Sequence, residues 1–339
     1  MKMKAKFAFV FCAVFSIMIF FQIEVAARGT VIKFATLATE GTTWMNVMKE
    51  LNEDLKKNTN GEVSFKFYPG SAFGDEKDVL RKMRFGQVHS AGITGMGLGE
   101  IVKETRVLEL PYLFNNYDEI DYIKEKFFDR FAKRFGEKGY VLLGWAEVGF
   151  VYIFTRDKVN NFDDMIKLNR MWVWEGDPLA ESTFREVGIN PVQLPITDVF
   201  TSLQTGLVDG FYTSPLAALA LQWFTKVNYM IEEPLTNSTG ALLITKKIFN
   251  KLTPEQQNIF KEKCRSYMKK LVRLSREDNV KSIETLKSRK IEVVSLPDEA
   301  KAKLREIGKS VQKELTGILY SEELLIEVLS ALEEYRKNN

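Results

Sequence analysis

Apolar and polar positions along this chain alternate with two periods, marking short strands separated by helices. Val31–Ala35 reads as a first strand that ends at Thr36-Leu37-Ala38-Thr39-Glu40-Gly41, and Thr42 and Thr43 can cap a helix from Trp44 to about Asn58. Val63-Ser64-Phe65-Lys66-Phe67-Tyr68 alternates as a half-buried strand does. Pro69-Gly70 breaks it, and Gly74-Asp75-Glu76 caps a helix running through Arg84. Gln87 to Thr94 predicts a buried strand, Tyr117 to Phe135 a helix, and Tyr140 to Glu147 a strand carrying Trp145, with Gly149 to Thr155 continuing extended. After Gly210 the pattern predicts a helix from about Pro215 to Tyr229 and extended chain from Pro234 to Thr245. Thr253-Pro254-Glu255 opens a long helix reaching about Arg289, with Thr as cap and Pro at the first helical position. Ile291 to Leu296 reads as a strand, and Pro297-Asp298 starts the last helices.

The stretch that organises the rest is Asn161 to Pro215. It reads strand, helix, strand, helix, strand, the unit of an open α/β sheet in which ligands sit off the strand ends. Trp172 and Trp174 alternate on one strand that ends in Glu175-Gly176-Asp177-Pro178, so both rings face one side. Leu203-Gln204-Thr205-Gly206-Leu207-Val208-Asp209-Gly210 puts a glycine at a helix end and an Asp-Gly at the mouth of the next strand.

The first residues change the picture. Lys2, Lys4 and Lys6 precede an apolar run from Phe7 to about Ile23 and then Val25-Ala26-Ala27, the order of a secretory signal peptide cut after Ala27. The alternative is an uncleaved anchor, since the run is almost long enough to span a bilayer. Cys12 lies inside that run, which argues against a lipoprotein. Residues 1–27 hold three lysines and Glu24, so their removal lowers the net charge from +3 to about +1 and leaves no basic patch for nucleic acid. Cys264 is then the one cysteine left, which allows no internal disulfide and no thiolate cluster.

Catalytic chemistry is scarce. His89 is the only histidine, lies mid-strand and has no ligand-spaced partner, so a buried structural role is expected and no metal site. No Gly-x-Ser-x-Gly elbow exists. In Gly95-Met96-Gly97-Leu98-Gly99 the third glycine comes one place too early for a nucleotide loop and no Lys-Ser/Thr follows, so a flexible loop is expected. Asp75-Glu76 and Asp163-Asp164 sit at predicted helix starts, where capping accounts for them. A chain short of catalytic groups and rich in strand-end aromatics suits capture without reaction.

These segments, in this order, resemble the solute-binding proteins of TRAP transporters, the DctP family. The quoted parallels are the Pro69-Gly70 turn with Gly74-Asp75-Glu76, Leu108-Glu109-Leu110-Pro111-Tyr112-Leu113-Phe114, and the Leu203 to Gly210 segment. The resemblance covers essentially the whole chain after residue 27. It implies a two-lobed α/β fold of periplasmic-binding-protein type II, hinged, with several inter-lobe crossovers. Residues 28–150 with 240–279 would form lobe I, and 151–239 with 280–339 lobe II. It further implies a periplasmic receptor, a monomer or weak dimer, that captures one small organic solute without turnover or cofactor and delivers it to membrane permease subunits. The rival readings are a sensor subunit for a membrane kinase and an exported enzyme on the same scaffold.

The family's substrate-clamping arginine, in a Lys-(Ile/Met/Leu)-Arg-Val strand, falls on Trp172 in Arg170-Met171-Trp172-Val173. A second arginine, in Gly-Phe-Arg, falls on Val151, and the asparagine of the Val-Asp-Gly segment falls on Thr213. Aromatic surface from Trp172, Trp174, Tyr212, Trp145 and Trp44 would replace the clamp, favouring a solute that is less acidic, or more apolar or aromatic. A carboxylate would then be held by backbone near Gly95 or Gly176, by Thr94, or by Arg170, with Thr39, Glu40 and Glu76 as polar contacts at the rim.

Overall fold

Most strands form where the alternation placed them, Tyr229–Ile231 being an addition, but their pairing is what builds the molecule. The computed structural model describes residues 29–339; the expected signal peptide at 1–27 lies outside the described residues. Its strands are β1 (Thr30–Thr36), β2 (Val63–Tyr68), β3 (Ser90–Thr94), β4 (Tyr140–Thr155), β5 (Trp172–Trp174), β6 (Val192–Leu194), β7 (Gly210–Thr213), β8 (Tyr229–Ile231), β9 (Thr236–Thr245) and β10 (Glu292–Val294). β2, β1 and β3 are parallel neighbours, as helical crossovers require, and β9 pairs antiparallel with β3 on one side and β4 on the other. That is the sheet of the first lobe.

β4 then changes partners. Its first twelve residues pair with β9, whereas Tyr152–Thr155 pair with β7, and Phe154 and Thr155 also with β8, which runs parallel to β10. β5 and β6 form a short parallel pair joined to β7 through a bridge between Met171 and Gly210. The single 16-residue strand β4 therefore serves both lobes. Two bulges interrupt its pairing with β9, between Leu142 and Gly144 and between Glu147 and Gly149.

The helix Pro254–Ser288 also spans both lobes; it is 35 residues long and started by a capping box of Thr253 and Gln256. Phe260, Cys264, Met268 and Leu271 sit in a core with Phe34, Met48 and Phe65 of the first lobe. Leu286 sits in another with Phe154, Phe211 and Trp223 of the second. A third cluster runs across both lobes, from Val88 and Phe131 to Val173 and Phe184. The helix Asp298–Glu314 packs on Pro178–Val187, where the Ser182 hydroxyl donates to Glu314 at 2.5 Å. The last helix, Glu322–Asn338, goes instead to Tyr117–Lys126, through Arg336 to Glu119 at 2.8 Å and the tilted rings of Tyr122 and Tyr335, 4.8 Å apart.

Several segments differ from the sequence pattern. Tyr117 to Phe135 is two helices broken at Phe127, and the helix from Pro215 stops at Ala220 because Gln222 takes φ of 59°. Asp75 does not cap: its side chain bonds elsewhere, and Asn161, not Asp163 or Asp164, caps Phe162–Ile166. Gly95-Met96-Gly97-Leu98-Gly99 is not a loop but the body of a buried helix, Gly95–Ile101. The glycines are needed for close approach: a Cβ on Gly97 would lie 2.5 Å from the Glu76 carboxylate, and one on Gly95 1.9 Å from that of Glu109.

At the second bulge Gly149 has φ of +112°, and an added Cβ would meet Asn279 Nδ2 at 2.4 Å. That amide donates to Val148 O at 2.8 Å and accepts from Leu216 N at 3.0 Å, tying the long helix to β4 and to the second lobe. Gly149→Ala is therefore expected to destabilise by about 1–3 kcal/mol, from backbone strain and the displaced amide. Urea denaturation checks this; an unchanged midpoint would mean the bulge relaxes freely.

Candidate functional site

Where the lobes meet, Asp75, Lys77 and Arg106 of the first lobe bond to the segment Trp174–Asp177 of the second. Trp174 Nε1 donates to Asp75 Oδ2 at 2.9 Å, Lys77 Nζ donates to Glu175 O at 2.8 Å, and Arg106 donates through one nitrogen to both Asp177 oxygens at 3.0 and 2.9 Å. Behind them lies a cavity of about 90 Å³. A water needs roughly 10–15 Å³ on such a measure, so the space suits several waters or a small organic molecule.

Its wall is aromatic. Trp172 stacks on Tyr212 with ring centres 5.3 Å apart, meets Trp223 edge-on at 5.3 Å, and lies 6.1 Å from Trp174. Trp172 Nε1 donates to Leu194 O at 2.9 Å, so the ring is buried with its polar atom satisfied. Thr94, Val151, Thr213 and Thr236 add smaller groups around the rim.

Its cation, Arg106, was not singled out by sequence, and its two acids lie in segments that were, Leu108–Phe114 and Glu175–Pro178. Arg106 lies in the 3-10 turn Lys103–Glu109 and pairs with Glu109 at 2.8 Å as well as with Asp177; all three side chains are buried. Glu109 also accepts from Thr239 N at 2.6 Å, and Asp177 caps the helix Pro178–Val187 through Leu179 N at 3.0 Å. Burial opposes the Arg106 charge, but Asp177 and Glu109 outweigh it and hold its pKa above the ordinary value. Burial pushes Glu109 up, with Arg106 pulling the other way, and raises Tyr212 well above the usual phenol range. Arg106 Nε has no hydrogen-bond partner among the described residues.

Of the positions expected from sequence, Thr94, Val151, Trp172, Trp174, Tyr212 and Thr213 line the cavity together. Gly95 abuts the Glu109 carboxylate behind that lining. Arg170 does not reach inward: it lies at the surface, bonded to Asp209 at 2.8 Å and Gly206 O at 3.0 Å. Gly176 is at the outer turn, its N–H directed to Gln193. Trp145 donates to Lys124 O and packs edge-on against Phe128 and Phe131, and Trp44 packs beside Gly92. Glu40 pairs with Lys49 in solvent, and Thr39 O accepts from the Thr42 hydroxyl. His89 accepts from Lys33 N at 3.2 Å and plays no part in the cavity.

Glu76 is buried beneath the cavity lip. It accepts from Thr94 N at 2.7 Å, Thr94 Oγ1 at 2.9 Å and Gly97 N at 2.9 Å, yet burial, the larger effect, pushes its pKa up to about 7 from 4.5. The unfolded chain releases this proton near pH 4.5 while the folded one keeps it, so this contribution to stability is full below 4.5 and is lost as pH rises to about 7. The loss should approach about 3 kcal/mol, and Glu76→Gln should remove that slope. Urea melts at pH 4.5 and pH 7.5 measure it; an equal slope in the variant would show that another group titrates.

Among the described residues no acidic, histidine or cysteine cluster could hold a metal, and no helix is long and apolar enough to cross a membrane. Two lobes joined by shared strands around a ring-walled cavity fit a solute-binding protein. Residues 34–317 match the family described as bacterial extracellular solute-binding protein, family 7 (DctP), and the chain belongs to that family. Its members are binding proteins, not enzymes.

An uncharacterised protein of Haemophilus influenzae is 28% identical over 227 residues, 64% of this chain; the match spans just under two thirds of that relative, 65%. A solute-binding protein of Verminephrobacter eiseniae is 24% identical over 83% of this chain and 88% of its own. A TRAP periplasmic solute-binding protein of Haemophilus influenzae, solved with bound L-gulonate, superposes with a TM-score of 0.83 at 21% identity, covering 90% of this chain and 99% of that one.

Proposed function

We propose that the protein is the extracytoplasmic receptor of a TRAP-type transporter, closing its lobes over one small organic acid and handing it to membrane permease subunits. The observation that carries this is the ring-walled cavity at the lobe contact, lined by Arg106 from one lobe and Asp177 from the other. Lobe boundaries near residues 150, 240 and 280 fit the courses of β4, β9 and the long helix. Relatives described as binding C4-dicarboxylate, 2,3-diketo-L-gulonate or ectoine fit a small solute of this size. The aromatic wall favours a solute with an apolar or planar body, since three tryptophans and a tyrosine stand where ligand-facing atoms must lie.

Ligand shifts the open–closed equilibrium by its affinity difference between the two states. A thermal-shift screen of organic acids, sugar acids and aromatic acids should give a rise in melting temperature for one class. At a hundredfold excess over Kd the gain is about 2.7 kcal/mol. Titration should give one solute per chain, recovered unchanged. A chemically altered solute would overturn the reading in favour of an enzyme; no response from any class would overturn it altogether.

A further inference from the structure

The charges in the cavity narrow the solute further, and the narrowing rests on the receptor reading above. Arg106, Glu109 and Asp177 line the cavity and are buried, so one cation already serves two carboxylates at 2.8–3.0 Å. A simple acid would bring a third carboxylate to that one guanidinium. Displacing either resident partner would leave a buried carboxylate unpaired, which is the unfavourable way to break such a cluster. A solute that brings its own cation along with its carboxylate leaves the balance as it was. If Glu109 holds a proton the order is unchanged, because a simple acid still adds an uncompensated charge.

The other charges nearby do not alter this. Lys124, the next cation to Glu109, is held by Glu147 at 3.1 Å, and Asp75 and Glu76 behind the wall are acidic. Arg106 Nε, buried and without a partner among the described residues, is the donor left for a solute carboxylate. Among the described residues no lysine or arginine sits over the rings of Trp172, Trp174, Tyr212 or Trp223; the cation–ring pairs lie elsewhere, such as Arg276 over Tyr117 and Lys303 over Phe162. A desolvated ring surface without a resident cation attracts one.

We propose that the solute is a zwitterion: its protonated nitrogen sits between the Asp177 and Glu109 carboxylates and the Trp172–Trp174–Tyr212 wall, and its carboxylate takes Arg106. The test compares shape-matched pairs that differ in a charged nitrogen against a carbon: trimethylammonioacetate with 3,3-dimethylbutanoate, pyrrolidine-2-carboxylate with cyclopentanecarboxylate, and piperidine-2-carboxylate with cyclohexanecarboxylate. Calorimetric titration should show the nitrogen member of at least one pair binding about tenfold or more tighter than its carbon partner. Glu109→Gln should erase most of that preference while the carbon member gains. Asp177→Asn repeats the comparison if the first variant shows no cooperative melt. Equal or tighter binding of the carbon members overturns the proposal, as does binding of sugar acids such as L-gulonate with no response to any nitrogen member; both leave the receptor reading standing. No binding by any probe, sugar acids included, would remove both.

Discussion

Replacing Arg106 by methionine is expected to lower stability by about 3–5 kcal/mol, because it strands two buried carboxylates at once. Only about 7% of the Arg106 side chain and 6% of either partner is exposed, so water cannot take over from the guanidinium. Backbone N–H groups at Thr239, Leu179 and Ala180 stay bonded to the two acids and soften the loss without neutralising it. Adding Glu109→Gln and Asp177→Asn to the same chain should restore most of the stability, since three neutral groups of similar shape carry no unpaired charge. Urea denaturation at neutral pH separates the cases. A single-variant loss under about 1 kcal/mol would mean the acids reach solvent or share a proton, and the charge argument for the cavity would fail with it.

Trp172→Ala is expected to abolish the ligand-induced rise in melting temperature and to cost about 3–5 kcal/mol of stability. The ring touches Tyr212, Trp174 and Trp223, so its removal opens the wall at its centre rather than its edge. A destabilised protein can lose ligand response for trivial reasons, so a control is required. Trp145→Ala removes a comparable ring that packs on Phe128 and Phe131 outside the cavity, and should destabilise while leaving affinity intact. Trp172→Phe, which keeps an aromatic face but loses the bond to Leu194 O, should fold and bind measurably more weakly. Equal affinity in Trp172→Ala and the parent would remove this ring from the site.

Most strands, most helices and part of the aromatic wall were legible because they depend on local alternation: Trp172 and Trp174 face one way by the period of a strand, whereas Trp223 was missed and Trp44 and Trp145, expected beside them, pack elsewhere. Arg106 was not. It sits in an irregular turn with no period to read, and only its spacing of three from Glu109 within an otherwise apolar run marks it. Arg170 failed for a related reason. Sharing a strand face with Trp172 says nothing of how far along that face Asp209 waits to take the guanidinium. The glycine run shows the same limit, since a missing side chain reads as freedom in sequence but here makes room for Glu76 and Glu109. Lobe membership was hardest: whether the last helix sits beside residues 117–126 depends on contacts some two hundred residues apart, such as Glu119 with Arg336.

The 35-residue helix behind the lobes has a mechanical corollary. At 1.5 Å per residue it is a strut about 52 Å long, embedded in one core near its start and in the other near its end. A strut fixed at both ends keeps its own flank of the molecule at constant length, so the two halves tilt rather than separate. None of its residues lines the cavity, so an opening that admits the proposed solute is expected on the flank away from it. Under the receptor reading proposed above, that flank is where a solute would enter and leave.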